Sequence, residues 1–383
     1  MDYAKLNLRD NPFGATPTTG RPIWCGMEQL KRELERRIEI SLRTSPSAVV
    51  LNWGHYGSGK THAAKYFTSD ETLGEFKKTI GLPEPPLAFY VGFPRVDRGV
   101  SFNLTSSIIG KFGVTDFASK LEQAKSNLDA VSAGLFAQLL QEYCDDSELQ
   151  KIFHKLVEGN PGDQDKIGRV LFGNTSATDL RDLQIARKPD SVADLCRIVT
   201  TAFNLITFRE PKVTPLYPAV HLWIDEFEDI SSLAAKEQDA LAAYLRNLID
   251  WCPQYLTIFL NFTLTPVQGL QDLGIYLGDA VTSRIRQQIE FPEPEKPELK
   301  SYIREMLNAP HVRVKPIEHG NLFAPFGEAA IDLIIDSVSP RTPRRVNEVF
   351  SFYLDMAAGA DGVIEISEAK IRELGPDIGL IIN

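Results

Sequence analysis

The 383-residue sequence predicts an α/β protein: a parallel sheet between helices, a helical insertion and a small C-terminal helical domain. Three observations predict it. The stretch "VVLNWGHYGSGKTHAAKYF" (49–67) passes from an apolar run through glycines to Lys60 and Thr61, then into helix-forming residues. Two further apolar runs, "AVHLWIDEFEDI" (219–230) and "YLTIFLNFTLTP" (255–266), read as buried strands with polar ends. Long stretches elsewhere carry apolar residues at three-to-four spacing, the period of a helix.

With 43% hydrophobic and 24% charged residues, the composition is that of an ordinary globular protein. No apolar run approaches the roughly 20 residues that span a bilayer. The start, "MDYAKLNLRDNPF", lacks the basic-then-apolar layout of a secretion signal. Cys25, Cys144, Cys196 and Cys252 are scattered without a CxxC pair, which favours reduced thiols over disulfides or a zinc site. A cytoplasmic protein with no membrane association is expected. The net charge of -10 repels a phosphate backbone overall, so DNA binding would need local basic segments aligned by an oligomer.

In chain order, "NPFGATPTTGRPIWCGMEQLKRELERRIEISL" opens extended around Pro12, Pro17 and Pro22. It becomes a helix from about Glu28, with Leu30, Leu34 and Ile38 on one face. The strand "SAVVLNW" (47–53) then leads into Gly54-His55-Tyr56-Gly57-Ser58-Gly59-Lys60-Thr61, a complete GxxxxGKT phosphate loop. Glycines let backbone N–H groups turn toward phosphate oxygens, and the next helix offers its positive end. Gly54, Gly57, Ser58, Gly59, Lys60, Thr61 and His62 are the nucleotide-binding candidates. Lys60 would reach the β- and γ-phosphates of ATP and the Thr61 hydroxyl would ligate Mg2+. His62 counts by its place in the first helical turn, since its imidazole, like that of His55, reads as packed or solvated.

A strand "PLAFYVGF" (86–93) is followed by a long helical stretch before the next strand. "LEQAKSNLDAVSAGLFAQLLQEY", "SELQKIFHKLVEG" and "SVADLCRIVTTAFNLITF" read as helices, and "GNPGDQD" (159–165) reads as turn. An insertion is placed at about 115–190. It shows no basic-aromatic interleaving and includes the acidic "QEYCDDSEL", so protein docking suits it better than nucleic acid. Plain structural elaboration is the alternative.

The strand ending in Asp225-Glu226 supplies the second half of a nucleotide site. Asp225 would hold Mg2+ and Glu226 would activate the attacking water, while Glu228 and Asp229 read as solvated. Asn261 and Thr263, two apart on the third strand, share a face. Asn261 would hold the lytic water, or else satisfy backbone groups at the strand end, and the same choice is open for Thr263. No HExxH or GxSxG is present, and the six histidines lack metal spacing.

This series, followed by "DAVTSRIRQQIEFPEPEKPELKSYIREML", resembles the AAA+ ATPases, most closely the initiator clade of origin-recognition proteins, clamp loaders and transposon target-selection ATPases. The stretch from Ser283 to Leu307 is similar to that clade's junction between ATPase core and helical lid. The likeness spans about residues 10–75 and 215–350. It implies a P-loop NTPase αβα sandwich with a C-terminal helical lid, divided as 1–46, 47–294 and 295–383. It also implies that Arg284 is an arginine finger acting on the γ-phosphate of a neighbouring subunit, with Arg286 as the alternative. In "SVSPRTPRRVNEVF" (337–350), Arg344 matches the lid arginine that contacts the subunit's own γ-phosphate, with Arg341 and Arg345 as alternatives. These arginines otherwise form a small DNA- or partner-binding face. Ile23 and Trp24 match the segment packed over the nucleotide base.

The stretch after the lid arginine match, ending "ELGPDIGLIIN", is short for the winged-helix domain of origin initiators, so a core-plus-lid chain without autonomous origin recognition is expected. "IDEFEDI" followed by "LRNLID" is also similar to ATP-binding subunits of phage-defence systems. The implied protein is a Mg2+-dependent ATPase forming a homo-oligomeric ring or filament with the finger in trans. It would assemble a complex on duplex DNA in replication, transposition or defence. The alternative is an ATP-dependent regulator that docks a protein effector through the insertion, without touching DNA.

Overall fold

The computed structural model describes residues 1–14, 22–44, 46–95, 99–265, 269–362 and 365–381; Pro17 of the extended lead-in lies outside them. Five strands, β1 (Ala48–His55), β2 (Leu87–Gly92), β3 (Val220–Asp225), β4 (Leu256–Leu264) and β5 (Ile285–Phe291), form one sheet in the order β2-β3-β4-β1-β5. β2 and β3 pair in parallel, as do β3 and β4, with Val91, Ile224 and Leu260 in register. β3 is buried throughout and β4 nearly so, which is why both read as unbroken apolar runs. β5 alternates exposed and buried residues at the sheet edge, so its pattern "IRQQIEF" carries little strand signal.

The insertion region is helical. Helices run Val114–Val131, Leu135–Tyr143, Ser147–Glu158, Pro161–Leu171 and Ala177–Leu183, before a long helix Val192–Thr207. The "GNPGDQD" segment, read as turn, starts a helix instead. Asn160 caps it by accepting from the Asp163 N–H, and Pro161 sits in its first turn, where a missing N–H costs nothing. Arg187 clasps Asp194 and Asp146, each at 2.5 Å, tying the insertion to the start of the long helix. Phe203 of that helix stacks on Phe89 of β2 at 5.9 Å.

The chain groups into two compact units. One comprises Arg36–Asn52 and Asp70–Ile289, which hold most of the sheet and the insertion. The other comprises Met1–Glu35, Trp53–Ser69 and Glu290–Asn383. In the latter, helices Lys296–Asn308, Glu328–Ser337, Pro343–Gly359 and Glu368–Leu374 bury a core around Ile303, Ile331 and Phe350. Leu8 and Phe13 of the N-terminal segment belong to this core, and the Phe13 and Phe350 rings lie 5.1 Å apart. Full burial of Phe13 contributes roughly 1.5–3 kcal/mol toward holding that segment in place.

All four cysteines are buried and free. Burial lifts the Cys25 and Cys252 thiols to about 12 and Cys144 to about 11, and raises Cys196 well above the ordinary thiol value. Among the described residues no helix is long and apolar enough to cross a membrane.

His221 of β3 is completely buried. Its Nε2 lies 2.8 Å from Ser41 Oγ, whose own proton goes to the Ile38 carbonyl at 2.6 Å. The imidazole therefore donates from Nε2 and is neutral. Burial, then the nearby Arg37 cation, lowers its pKa to about 3. A folded value below the unfolded one means that the unfolded chain binds the proton more readily. The stability is therefore intact above about pH 6.5 and lost as pH falls toward 3. Urea unfolding at pH 7 and at pH 4.5 should show the wild type losing roughly 2–3 kcal/mol more than His221→Gln between the two. Equal losses would show that His221 does not govern the acid response.

Candidate functional site

The phosphate loop follows β1. Gly57 and Gly59 adopt φ of 80° and 98°, the left-handed region that other residues enter at a cost. A Cβ on Gly57 would also meet the Arg344 Cβ at 2.8 Å. Around Gly59 a Cβ would meet nothing within 4 Å, so the start of the helix Lys60–Phe67 faces open space. Backbone N–H groups at that helix start fit an anion, and the Thr61 hydroxyl is a hard oxygen suited to Mg2+. Lys60 is buried, and its Nζ donates to the Gly54 and His55 carbonyls at 3.0 Å each and to Ser58 Oγ at 3.2 Å. The ammonium thus closes the loop upon itself.

Arg344 stands beside this loop. Its backbone N–H donates to the Gly57 carbonyl at 3.3 Å, and its guanidinium lies over the exposed Tyr56 ring at 4.3 Å. Arg345 instead bonds Glu348 and the Ile378 carbonyl. Of the lid arginines, Arg344 is the one that these contacts bring to the loop.

The imidazole of His62 is half-buried and is 2.8 Å from the Ile23 carbonyl, to which a neutral ring donates; desolvation lowers its pKa. The ring is therefore committed to the N-terminal segment, as its reading as a packed imidazole anticipates. Trp24 packs against Phe67 and Tyr66 at 5.6 and 5.4 Å, and its Nε1–H donates to the Gly26 carbonyl at 2.7 Å. Ile23 and Trp24 thus lie against the helix Lys60–Phe67.

The acidic pair ends β3. Asp225 is 2% exposed; its Oδ1 accepts from Asn261 Nδ2 at 2.9 Å and its Oδ2 from the Tyr90 hydroxyl at 3.0 Å. Asn261 Oδ1 in turn accepts from Asn52 Nδ2 at 2.9 Å. Glu226 takes φ of 58°, a strained value that turns the chain sharply out of the strand. Its side chain is half exposed and pairs with Arg95 at 3.1 Å, while Arg95 Nε donates to Asp229 at 2.9 Å. Burial raises the Glu226 pKa; Arg95 opposes this, and Asp225, Asp229 and Glu228 reinforce it. Glu228 and Asp229, read as solvated, are instead engaged: Glu228 accepts from the Thr263 N–H at 3.0 Å and Asp229 pairs with Arg95. Thr263 itself is buried.

Tyr90, Arg95 and Asn52 were not visible as site residues in the sequence. Tyr90 sits in an apolar strand where an aromatic reads as core, and Asn52 is a lone polar residue before the loop. Arg95, just past the same strand, carried the best available signal.

Arg284 is fully engaged. Its guanidinium forks onto Asp250 at 2.7 to 3.0 Å and also bonds the Ala280 carbonyl. Arg286, two residues on, is exposed and forms no ion pair among the described residues. Both line an open cavity of about 470 Å³ together with Ser47, Asp250 and Ser283.

No protein-family model and no curated protein matches the chain. Solved structures do match it. The Aeropyrum pernix ORC1 protein in complex with DNA is 13% identical, with a TM-score of 0.50 over 97% of this chain and 70% of that one. The Aeropyrum pernix ORC2 protein in its ADPNP-ADP complexes is 14% identical, with a TM-score of 0.53 over 97% of this chain and 72% of that one. The ADP form of the same ORC2 protein gives 14% and 0.51, over 96% and 72%. Likeness at such identities shows the fold alone: an α/β AAA+ P-loop NTPase fold like that of these ORC structures.

Proposed function

We propose that this chain binds and hydrolyses Mg-ATP and uses its nucleotide state to assemble a DNA-associated complex as a homo-oligomer. The observation that carries the reading is the contrast within the acidic pair. Asp225 is buried and fixed by two donors, whereas Glu226 is turned outward and half exposed. One carboxylate is held still, as a metal ligand needs to be, and the other is accessible to water.

Lys60 and the N–H groups of Gly57, Ser58 and Gly59 stabilise charge on the phosphates. Thr61 and Asp225 would hold Mg2+, which neutralises charge on the β- and γ-phosphates. Glu226 takes the proton of the attacking water and Arg344 senses the γ-phosphate. Asn261, expected to hold that water, is wholly buried and spends its amide on Asp225 and Asn52, so it steadies the metal ligand instead. Ile23 and Trp24 pack near the base, with His62 holding their segment to the helix Lys60–Phe67. The trans finger must be an arginine that reaches out of its own chain. Arg284 must first leave Asp250, so Arg286 is the readier of the two.

Arg95 restrains the base through its ion pair with Glu226. Arg95→Ala is expected to raise basal turnover by roughly 3–10-fold, a modest fraction of what a positioned base supplies. Steady-state phosphate release at saturating ATP measures it, and an unchanged or lower rate would remove Arg95 from this role.

The ORC1 neighbour is a complex with DNA and the ORC2 neighbour carries ADPNP and ADP, which supports a nucleotide-dependent role on DNA. The net charge of -10 favours the second reading, a regulator that docks a protein effector through the insertion at 115–190. ATP turnover per chain, followed against protein concentration with and without duplex DNA, tests both. A steep rise with concentration supports a finger in trans, and a further rise with DNA supports the DNA-associated role. Turnover indifferent to DNA favours the effector.

A further inference from the structure

A single row of side chains crosses four adjacent strands. Tyr90 on β2 donates to Asp225 Oδ2, Asn261 on β4 donates to Asp225 Oδ1, and Asn52 on β1 donates to Asn261 Oδ1. The strand order β2-β3-β4-β1 makes these residues consecutive neighbours. Asn52 and Asn261 are wholly buried.

The direction of the row is dictated from its centre. A buried carboxylate must be met by donors, so Asn261 turns its amino group to Asp225. Its carbonyl then accepts from Asn52, which leaves the Asn52 carbonyl facing on without a partner. Asn52 Oδ1 is a buried acceptor with no hydrogen bond. An unpartnered buried acceptor is unfavourable, so the row serves Asp225 at the expense of its far end.

We propose that Tyr90 is a positioning residue for magnesium binding, its hydroxyl fixing the Asp225 carboxylate in one orientation before the metal arrives. This rests on the reading of Asp225 as the Mg2+ ligand. Removing the Tyr90 oxygen alone frees one side of the carboxylate while the ring, and hence the packing of β2, stays.

The test is a magnesium titration of fluorescent ATP-analogue binding by the full chain, without turnover. It compares wild type, Tyr90→Phe, Asp225→Asn and the double variant, each checked for folding by circular dichroism. Tyr90→Phe should need roughly 10-fold more Mg2+ for half-saturation, as for loss of a partner that orients a metal ligand. Its affinity for the analogue in EDTA should be that of wild type. On the Asp225→Asn background the same change should add nothing, because Tyr90 acts through that carboxylate. A wild-type magnesium requirement in Tyr90→Phe, or an undiminished penalty in the double variant, overturns the proposal. A wild type whose analogue binding ignores Mg2+ refutes the reading of Asp225 itself, and is seen before any variant is made.

Discussion

Glu226→Gln should bind ATP normally and hydrolyse it at least about 10²-fold more slowly than the wild type, the lower end of what a positioned base contributes. The amide matches the carboxylate in size, so the left-handed turn at Glu226 and the course of β3 are preserved. What disappears is the capacity to take a proton from water, along with the negative charge that pairs with Arg95. The variant should accumulate as the ATP-bound oligomer, visible by light scattering and by the nucleotide recovered from it. The pH profile of the wild type carries the same assignment. The base works only when deprotonated, and its pKa is raised, mainly by burial. Hydrolysis should therefore fall on the acid side at a pH above the ordinary glutamate range. Hydrolysis by Glu226→Gln at the wild-type rate would show that another group takes the proton.

The second large effect concerns Lys60. Its ammonium satisfies two backbone carbonyls and the Ser58 hydroxyl from a buried position. Lys60→Ala thus removes a positive charge and also unlatches the loop that presents the N–H groups. ATP affinity should fall by at least about 100-fold, or roughly 2.7 kcal/mol. Lys60→Arg should not restore it, because a planar guanidinium cannot take the place of a compact ammonium. Thermal unfolding gives the readout: ATP should raise the wild-type midpoint and leave that of Lys60→Ala unmoved. An equal rise in both would place nucleotide binding elsewhere.

Much of this arrangement was legible in the sequence because it is local. The strand, loop and helix around Lys60 are contiguous, and the β3 and β4 runs end in their polar residues. The parts that escaped depend on neighbours far apart in the chain. Tyr90 gains its role only because β2 lies next to β3, and Asn52 only because β4 lies next to β1. Arg95 meets Glu226 across more than a hundred intervening residues, which no periodicity records. The helix at Pro161–Leu171 was missed for a different reason. Asn, Pro and Gly in succession signal a turn, yet the same Asn-Pro pair is a cap followed by a first-turn proline. Arg284 shows a further limit, since sequence identifies a cation without revealing that Asp250 has already engaged it.

The burial of all four cysteines has a practical side. Thiol reagents are attacked by the thiolate, and burial both suppresses that form and bars access. The folded chain therefore offers maleimides almost no background. One cysteine introduced on its surface, at the exposed Tyr56 or at the exposed Ile275, becomes the single site that takes a dye or a spin label. The native sequence is in effect a cysteine-less scaffold for spectroscopy, with no core residue to be replaced first.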